Sequence, residues 1–206
     1  FKKKKIGTLG NIGCFSFHPR KIITTGEGGA IVTNDINLTH KIKALRNHGS
    51  ELINGNREYN YAGLNYRMTD FQATIGISQL TDINNIIKHR FRCAKIYSNY
   101  LSEISWIKVP KNIENRKTNF QTYHLLIAEY IDKKKLIDFL KKNMIQTNYG
   151  ANSLHMLKYY LNKYNYNSNN FPNARYAYNF GLALPMGNHV SINDIKKIAK
   201  KINLFY

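Results

Sequence analysis

The sequence predicts an α/β protein built in two parts. Short apolar, strand-like segments at residues 12–17 and 29–34 flank a glycine-rich turn. A helical run opens at Thr69 or Asp70 and continues to Leu101, long enough to join a larger unit to a smaller one. Beyond Trp106, strand and helix patterns alternate and end in an amphipathic segment. Residues 1–90 are therefore expected to belong to a large α/β domain, and residues 91–206 to a small α+β domain with its linking helix.

Each element follows from a local pattern. Ile12 to Phe17 is short and apolar, and Gly29 to Asn34 reads as a second strand beside it in one sheet. Leu38 to Arg46 reads as a short basic helix, broken by Asn47-His48-Gly49-Ser50. Residues 51–64 are polar and rich in Asn and Gly, which predicts a long loop. In the next helix Phe71, Ile75, Leu80, Ile83 and Ile87 recur near the helical period, with a bend expected around Asp82-Ile83-Asn84. Trp106 to Pro110, Thr122 to Ala128 and Ile145 to Tyr149 read as strands, and Asp132 caps a helix carrying Leu136, Phe139 and Leu140. The Asn-rich stretch 162–170 reads as a polar loop. Ser191 caps the last helix, with Ile192, Ile195, Ile198 and Ile202 on one face.

The composition narrows the function classes. The formal net charge is +19 over 206 residues, but the positive charge is spread from Lys2 to Lys201. A nucleic-acid site needs a local basic patch with aromatics interleaved. A solvated lysine-rich surface is the expectation, with no specific nucleic acid partner. Cys14 and Cys93 form neither a disulfide framework nor a Cys/His cluster, so no metal site is expected. No apolar run approaches the roughly 20 residues that span a bilayer, and no apolar region follows Lys2 to Lys5 as in a signal peptide. A soluble cytoplasmic protein is expected, with no membrane partner.

The most informative segment runs from Phe15 to Gly29. Lys21 sits between a short apolar strand and a tight turn, Ser16 lies five residues before it, and Thr24-Thr25-Gly26-Glu27-Gly28-Gly29 follows. That order suits a lysine held as a Schiff base to pyridoxal 5'-phosphate, with the Ser16 hydroxyl on the cofactor's phosphate. His18 is expected to orient the turn rather than to do chemistry. A second stretch, Gly63-Leu64-Asn65-Tyr66-Arg67-Met68-Thr69-Asp70-Phe71-Gln72-Ala73-Thr74-Ile75-Gly76, reads without further information as a polar loop before a capped helix.

Both stretches resemble the sugar aminotransferases of the DegT/DnrJ/EryC1/StrS family, which belong to fold type I of the pyridoxal-phosphate enzymes. The first is similar to that family's lysine motif and the second to its G-x-N-Y-R-M-x-D-x-Q-A-x-I-G stretch. Arg46-Asn47-His48-Gly49 matches its R-x-H-G turn, and Ala183-Leu184-Pro185-Met186 its L-P turn. The resemblance implies a remnant of a three-layer large domain with a mixed sheet, followed by a small α+β domain. It implies Lys21 as covalent anchor and proton carrier, and a homodimer in which Asn65 completes the partner's cofactor site. Arg67 is implied at the phosphates of a nucleotide-sugar substrate, and His155 near its sugar. The implied reaction moves an amino group, from glutamate as donor, to a nucleotide-linked 4-keto-6-deoxy sugar for surface-polysaccharide or glycoconjugate synthesis.

The family's aspartate for the pyridinium nitrogen and its aromatic that stacks on the ring lie in its earlier half, and no residue before Gly7 supplies them. The chain opens on Phe1 and enters strand-like sequence almost at once. A preceding segment is therefore expected, and this stretch alone is expected to be incapable of catalysis. A sheet edge and an apolar face should then lie uncovered. The rival expectations are a non-catalytic relative acting as a binding or regulatory dimer and, on charge alone, a nucleic-acid binder.

Overall fold

The computed structural model describes residues 1–111 and 113–206. The chain divides into two compact units: residues 1–84 with 114–117, and residues 85–113 with 118–206.

The first unit opens on an antiparallel ribbon of β1 (Gly13–Ser16) and β2 (Gly29–Val32), with Gly13 opposite Val32 and Ser16 opposite Gly29. Asp35 caps α1 (Ile36–Leu45), its carboxylate accepting from the Asn37 and Leu38 N–H groups at 2.8 and 3.1 Å. A hairpin then replaces the start of the expected loop, with β3 (Ser50–Ile53) paired to β4 (Asn56–Tyr59). Asn54 and Gly55 turn the chain with φ of +50° and +83°. Two consecutive positive φ values define a type I′ turn, whose preferred sequence is Asn-Gly. Thr69 begins α2 (Asp70–Thr81) with a reciprocal capping box to Gln72. The helix ends at Asp82 and α3 (Ile83–Leu101) starts afresh one residue on, so two helices stand where one bent helix was expected. Few side chains of this unit are buried: Phe15, Ile31, Val32, Phe71, Ile77 and Leu80 are all exposed, Phe71 by 83%.

The second unit holds the hydrophobic core. Its sheet has the order β5 (Ile107–Lys108), β6 (Tyr123–Ile127), β7 (Gly181–Leu184), with both pairings antiparallel. Tyr123, Leu125 and Ile127 alternate inward along β6, as the period of two requires. Leu136 and Leu140 of α4 (Lys133–Lys142) are fully buried, as are Ile195 and Ile202 of α7 (Ile192–Asn203). They join Cys93, Tyr97 and Leu101 of α3 in one cluster. Asp132 and Ser191 cap α4 and α7. The expected strand at 145–149 does not form: only Asn148 bridges Ala183, through bonds of 3.2 and 2.7 Å. No backbone bond joins Gln146 or Thr147 to β7 among the described residues, so no ladder extends from that bridge. The expected Asn-rich loop is found over residues 165–171, flanked by two helices that the sequence did not signal, α5 (Lys158–Tyr164) and α6 (Pro172–Phe180), the latter with proline in its first turn.

Tyr97 and Tyr123 are wholly buried with ring centroids 4.9 Å apart. The Tyr97 hydroxyl donates to the Pro185 carbonyl at 2.9 Å, and Ser98 meets the Tyr123 hydroxyl at 2.9 Å. Burial pushes both phenols up, Tyr123 to about 12. In the unfolded chain they ionise near the ordinary value of about 10. The unfolded state therefore loses these protons first, and stability falls as pH rises from about 10 through about 12. Urea midpoints of the second unit are expected to drop between about pH 9 and about pH 11. Tyr123→Phe should roughly halve that drop, since Tyr97 remains, while leaving the neutral-pH midpoint little changed.

Candidate active site

The segment carrying Lys21 is built by the backbone on either side of it. The ribbon extends one step past β1, where the Phe17 N–H donates to the Gly28 carbonyl at 2.9 Å. The Phe17 carbonyl then accepts both the Thr25 N–H and the Thr24 hydroxyl, at 3.1 and 2.9 Å. Between these points the chain makes a tight turn, in which the Lys21 N–H donates to the His18 carbonyl at 2.9 Å with Pro19 at the second position. Lys21 is exposed, and its amine has no hydrogen-bond or ion-pair partner among the described residues. Ser16 stands exposed at the end of β1, its Oγ accepting the His18 N–H at 3.2 Å. That bond leaves the Ser16 hydroxyl hydrogen free to donate elsewhere.

Helix α2 holds this turn in place. The Gln79 amide grips both sides of the Thr24 backbone: Oε1 accepts its N–H at 3.0 Å and Nε2 donates to its carbonyl at 2.6 Å. Gln72 Nε2 donates to the Glu27 carbonyl at 3.0 Å. Between them Gly76 presents bare backbone to Thr25, and a Cβ there would lie 3.0 Å from the Thr25 methyl carbon. Thr25 is 3% exposed and closes its own loop by donating to the Glu27 carbonyl at 2.7 Å. Residues 72, 76 and 79 share one helix face at the helical period. Neither glutamine stands out along the sequence as a clasp for the lysine turn. The spacing of Gln72, Gly76 and Gln79 was the available signal.

Asn65 and Arg67 are placed by a second clasp in the same unit. The Leu64 and Tyr66 N–H groups donate to the Leu45 and Arg46 carbonyls, each at 2.9 Å, and the His48 N–H donates to the Leu64 carbonyl at 3.0 Å. Asn47 and Asn65 form the bridge between the two strands of chain. The R-x-H-G turn is thus structural: it seats residues 63–67. Arg67 Nη1 donates to Asn47 Oδ1 at 2.7 Å. Arg67 then faces a cleft of about 590 Å³ that Lys43, Arg46, Arg57, Asn47 and Ser50 also line. Lys43, Arg46 and Arg57 form no ion pair among the described residues, so positive charge in the cleft is unbalanced apart from Glu51. Such a cleft suits a phosphorylated ligand, and arginine forks fit phosphate oxygens. Asn65 itself is exposed.

His155 belongs to the second unit and is 5% exposed. Its Nδ1 lies 3.1 Å from Ser153 Oγ, its Nε2 3.4 Å from the Ser168 carbonyl, and its ring 5.0 Å from the Phe171 ring. Both ring nitrogens lie within hydrogen-bond reach of nearby residues of its own segment. In the same unit Lys133 donates to the Tyr178 carbonyl at 2.6 Å and lies 4.8 Å from the Tyr149 ring centroid. Burial lowers the pKa of Lys133, and that of the neighbouring His124 as well. Among the described residues no three His, Cys, Asp or Glu side chains gather into a metal site, and no helix is long and apolar enough to cross a membrane.

The model of the DegT/DnrJ/EryC1/StrS aminotransferase family matches residues 1–203. The chain belongs to that family. It is 34% identical to an uncharacterised protein of Methanocaldococcus jannaschii, over 98% of this chain and 55% of that protein. It is 30% identical to GDP-perosamine synthase of Escherichia coli O157:H7, over 100% of this chain and 55% of that enzyme. It superposes on PseC of Helicobacter pylori, an aminotransferase involved in the biosynthesis of pseudoaminic acid, with a TM-score of 0.92. That match is 25% identical and covers 100% of this chain and 56% of PseC. The fold is thus that of the corresponding part of a fold type I aminotransferase, and the chain spans about 55% of the length of the curated relatives it matches.

Aminotransferases of this family use pyridoxal phosphate. The residues on the Lys21 turn fit the part of that cofactor they would meet. An unpartnered amine stands ready for its aldehyde and an uncommitted hydroxyl hydrogen for its phosphate. Gly26, at φ +81°, has no atom within 4 Å of where a Cβ would stand, which leaves backbone open to a ligand.

Proposed function

We propose that Lys21 anchors pyridoxal phosphate. The whole protein would transfer an amino group, from glutamate, to the keto group of a nucleotide-linked 4-keto-6-deoxy sugar. The observation that carries this reading is the clasped turn: within a family-wide match, Gln72, Gly76 and Gln79 of α2 fix a turn whose lysine amine is free. The names of the relatives support the substrate class, since one is a GDP-perosamine synthase and another an aminotransferase for pseudoaminic acid.

Lys21 Nζ would hold the cofactor covalently, and the Ser16 hydroxyl would donate to its phosphate. When bound, the cofactor supplies an electron sink for the substrate's α-carbon electrons. The free Lys21 amine would take a proton from the donor's amine-bearing carbon and, in the second half of the exchange, deliver one to the sugar carbon that gains the amine. Arg67 and its cationic neighbours would neutralise the substrate's phosphates. In a cytoplasmic homodimer, Asn65 would reach the cofactor phosphate of the partner's site. Residues 1–90 would serve as part of the cofactor domain and 91–206 as the small domain. His155 would reach a sugar only by leaving Ser153 and Ser168, so Arg67 is the stronger substrate contact.

The test is direct. The protein with any flanking sequence encoded in frame is supplied with pyridoxal phosphate, glutamate and a GDP- or UDP-linked 4-keto-6-deoxy sugar. Formation of the 4-amino sugar with 2-oxoglutarate supports the reading. Cofactor binding without amination of any keto sugar overturns it in favour of a non-catalytic relative.

A further inference from the structure

We propose that His18 is a positioning residue for Lys21, acting as a side-chain acceptor that closes the turn rather than as an acid or base. The inference rests on the reading of Lys21 as anchor. Its grounds lie in four contacts of one residue. His18 Nδ1 accepts the Arg20 N–H at 3.1 Å, its carbonyl accepts the Lys21 N–H at 2.9 Å, and its own N–H donates to Ser16 Oγ at 3.2 Å. On the far side its Nε2 lies 4.0 Å from Glu27 Oε1, across the mouth of the turn. His18 therefore ties together the two residues at Lys21, the serine assigned to the phosphate and the returning arm.

The bond to Arg20 settles the tautomer. Nδ1 receives a hydrogen, so it carries none, and the ring hydrogen sits on Nε2 toward the Glu27 carboxylate. A side-chain acceptor that takes the N–H two residues on reproduces the Asx turn, in which asparagine Oδ1 plays the same part. Pro19 between them has a fixed φ and no N–H to compete, which makes the short closed loop inexpensive in entropy. The Ser16 bond has a second effect. By occupying a lone pair on Oγ it leaves the hydroxyl hydrogen available for another acceptor, such as a phosphate oxygen.

Asparagine can replace this acceptor, whereas alanine removes it and glutamine places it one carbon too far. His18→Asn, His18→Gln and His18→Ala are made in the full chain, incubated with pyridoxal phosphate and reduced with borohydride. The rate of labelling at Lys21 is read by peptide mass spectrometry, and amide hydrogen exchange is followed at Arg20 and Lys21. One lost hydrogen bond corresponds to about a tenfold effect. His18→Ala and His18→Gln should slow Lys21 labelling about tenfold and speed exchange at both amides by a similar factor. His18→Asn should restore both to within about twofold of the parent. An asparagine variant as impaired as the alanine one overturns the proposal, because the imidazole itself would then be needed. An alanine variant matching the parent overturns it too. If the parent shows no label at Lys21, the anchor reading fails, and the exchange rates still decide whether His18 holds the turn.

Discussion

Lys21→Ala is expected to lower amino transfer by the whole protein at least about ten-thousandfold while leaving the urea midpoint of the cofactor-free protein unchanged. A positioned proton carrier contributes up to about 10⁴ in rate, and the same side chain is also the proposed covalent anchor. Stability should not follow activity, because the Lys21 side chain is exposed and its amine has no partner among the described residues. Its backbone bond to His18 survives the substitution. The pairing of a lost rate with an unmoved midpoint separates a chemical role from a structural one. Gln79→Ala supplies the opposite signature. It deletes two bonds to Thr24, so it should loosen the turn and lower activity together with local stability.

Gly49→Ala should destabilise the first unit by on the order of 3 kcal/mol. Gly49 has φ +75°, and a Cβ there would stand 1.7 Å from the Tyr61 carbonyl oxygen. That oxygen is backbone and cannot swing aside. Opposite it, a Cβ on Gly63 would meet the Gly49 nitrogen at 2.1 Å, so the two glycines permit one close approach between residues 46–50 and 61–67. Opening it would release the bonds that seat Asn65 and Arg67. Gly55→Ala is the control. Its φ is +83°, but no atom lies within 4 Å of the added carbon, so it should cost about 1 kcal/mol from backbone strain alone. Denaturant titration checks the energies. Hydrogen exchange at Leu64 and Tyr66 checks the location. Equal effects at Gly49 and Gly55 would contradict the account of close approach.

Local signals in the sequence were legible where they act locally. Asp35, Thr69, Asp132 and Ser191 each cap a helix through their own following residues, and three of these caps were read directly. The β3–β4 hairpin was misread as loop because its strands are polar and exposed, although Asn54-Gly55 carried the turn signal. The 145–149 segment has strand-like composition, yet only Asn148 finds a partner, because pairing depends on what lies alongside. The grip of α2 on the lysine turn was illegible for a related reason. Gln72 and Gln79 bond residues 45 and 55 positions away, and no window along the chain contains both ends. The turn that carries Lys21 was legible because the ordered run from Ser16 to Gly29 forms the whole connection between β1 and β2. The place of His155 near a sugar comes from the resemblance alone, and its surroundings were not legible along the chain. The structure shows its ring packed on Phe171 and held by Ser153.

The measurement that bears most directly on Lys21 as cofactor anchor is the map of borohydride-reduced pyridoxal phosphate on the protein's lysines. At limiting cofactor, the account predicts a single dominant adduct at Lys21, abolished by Lys21→Ala and not transferred to another lysine. An adduct spread over the many exposed lysines, with Lys21 no richer than the rest, would contradict it.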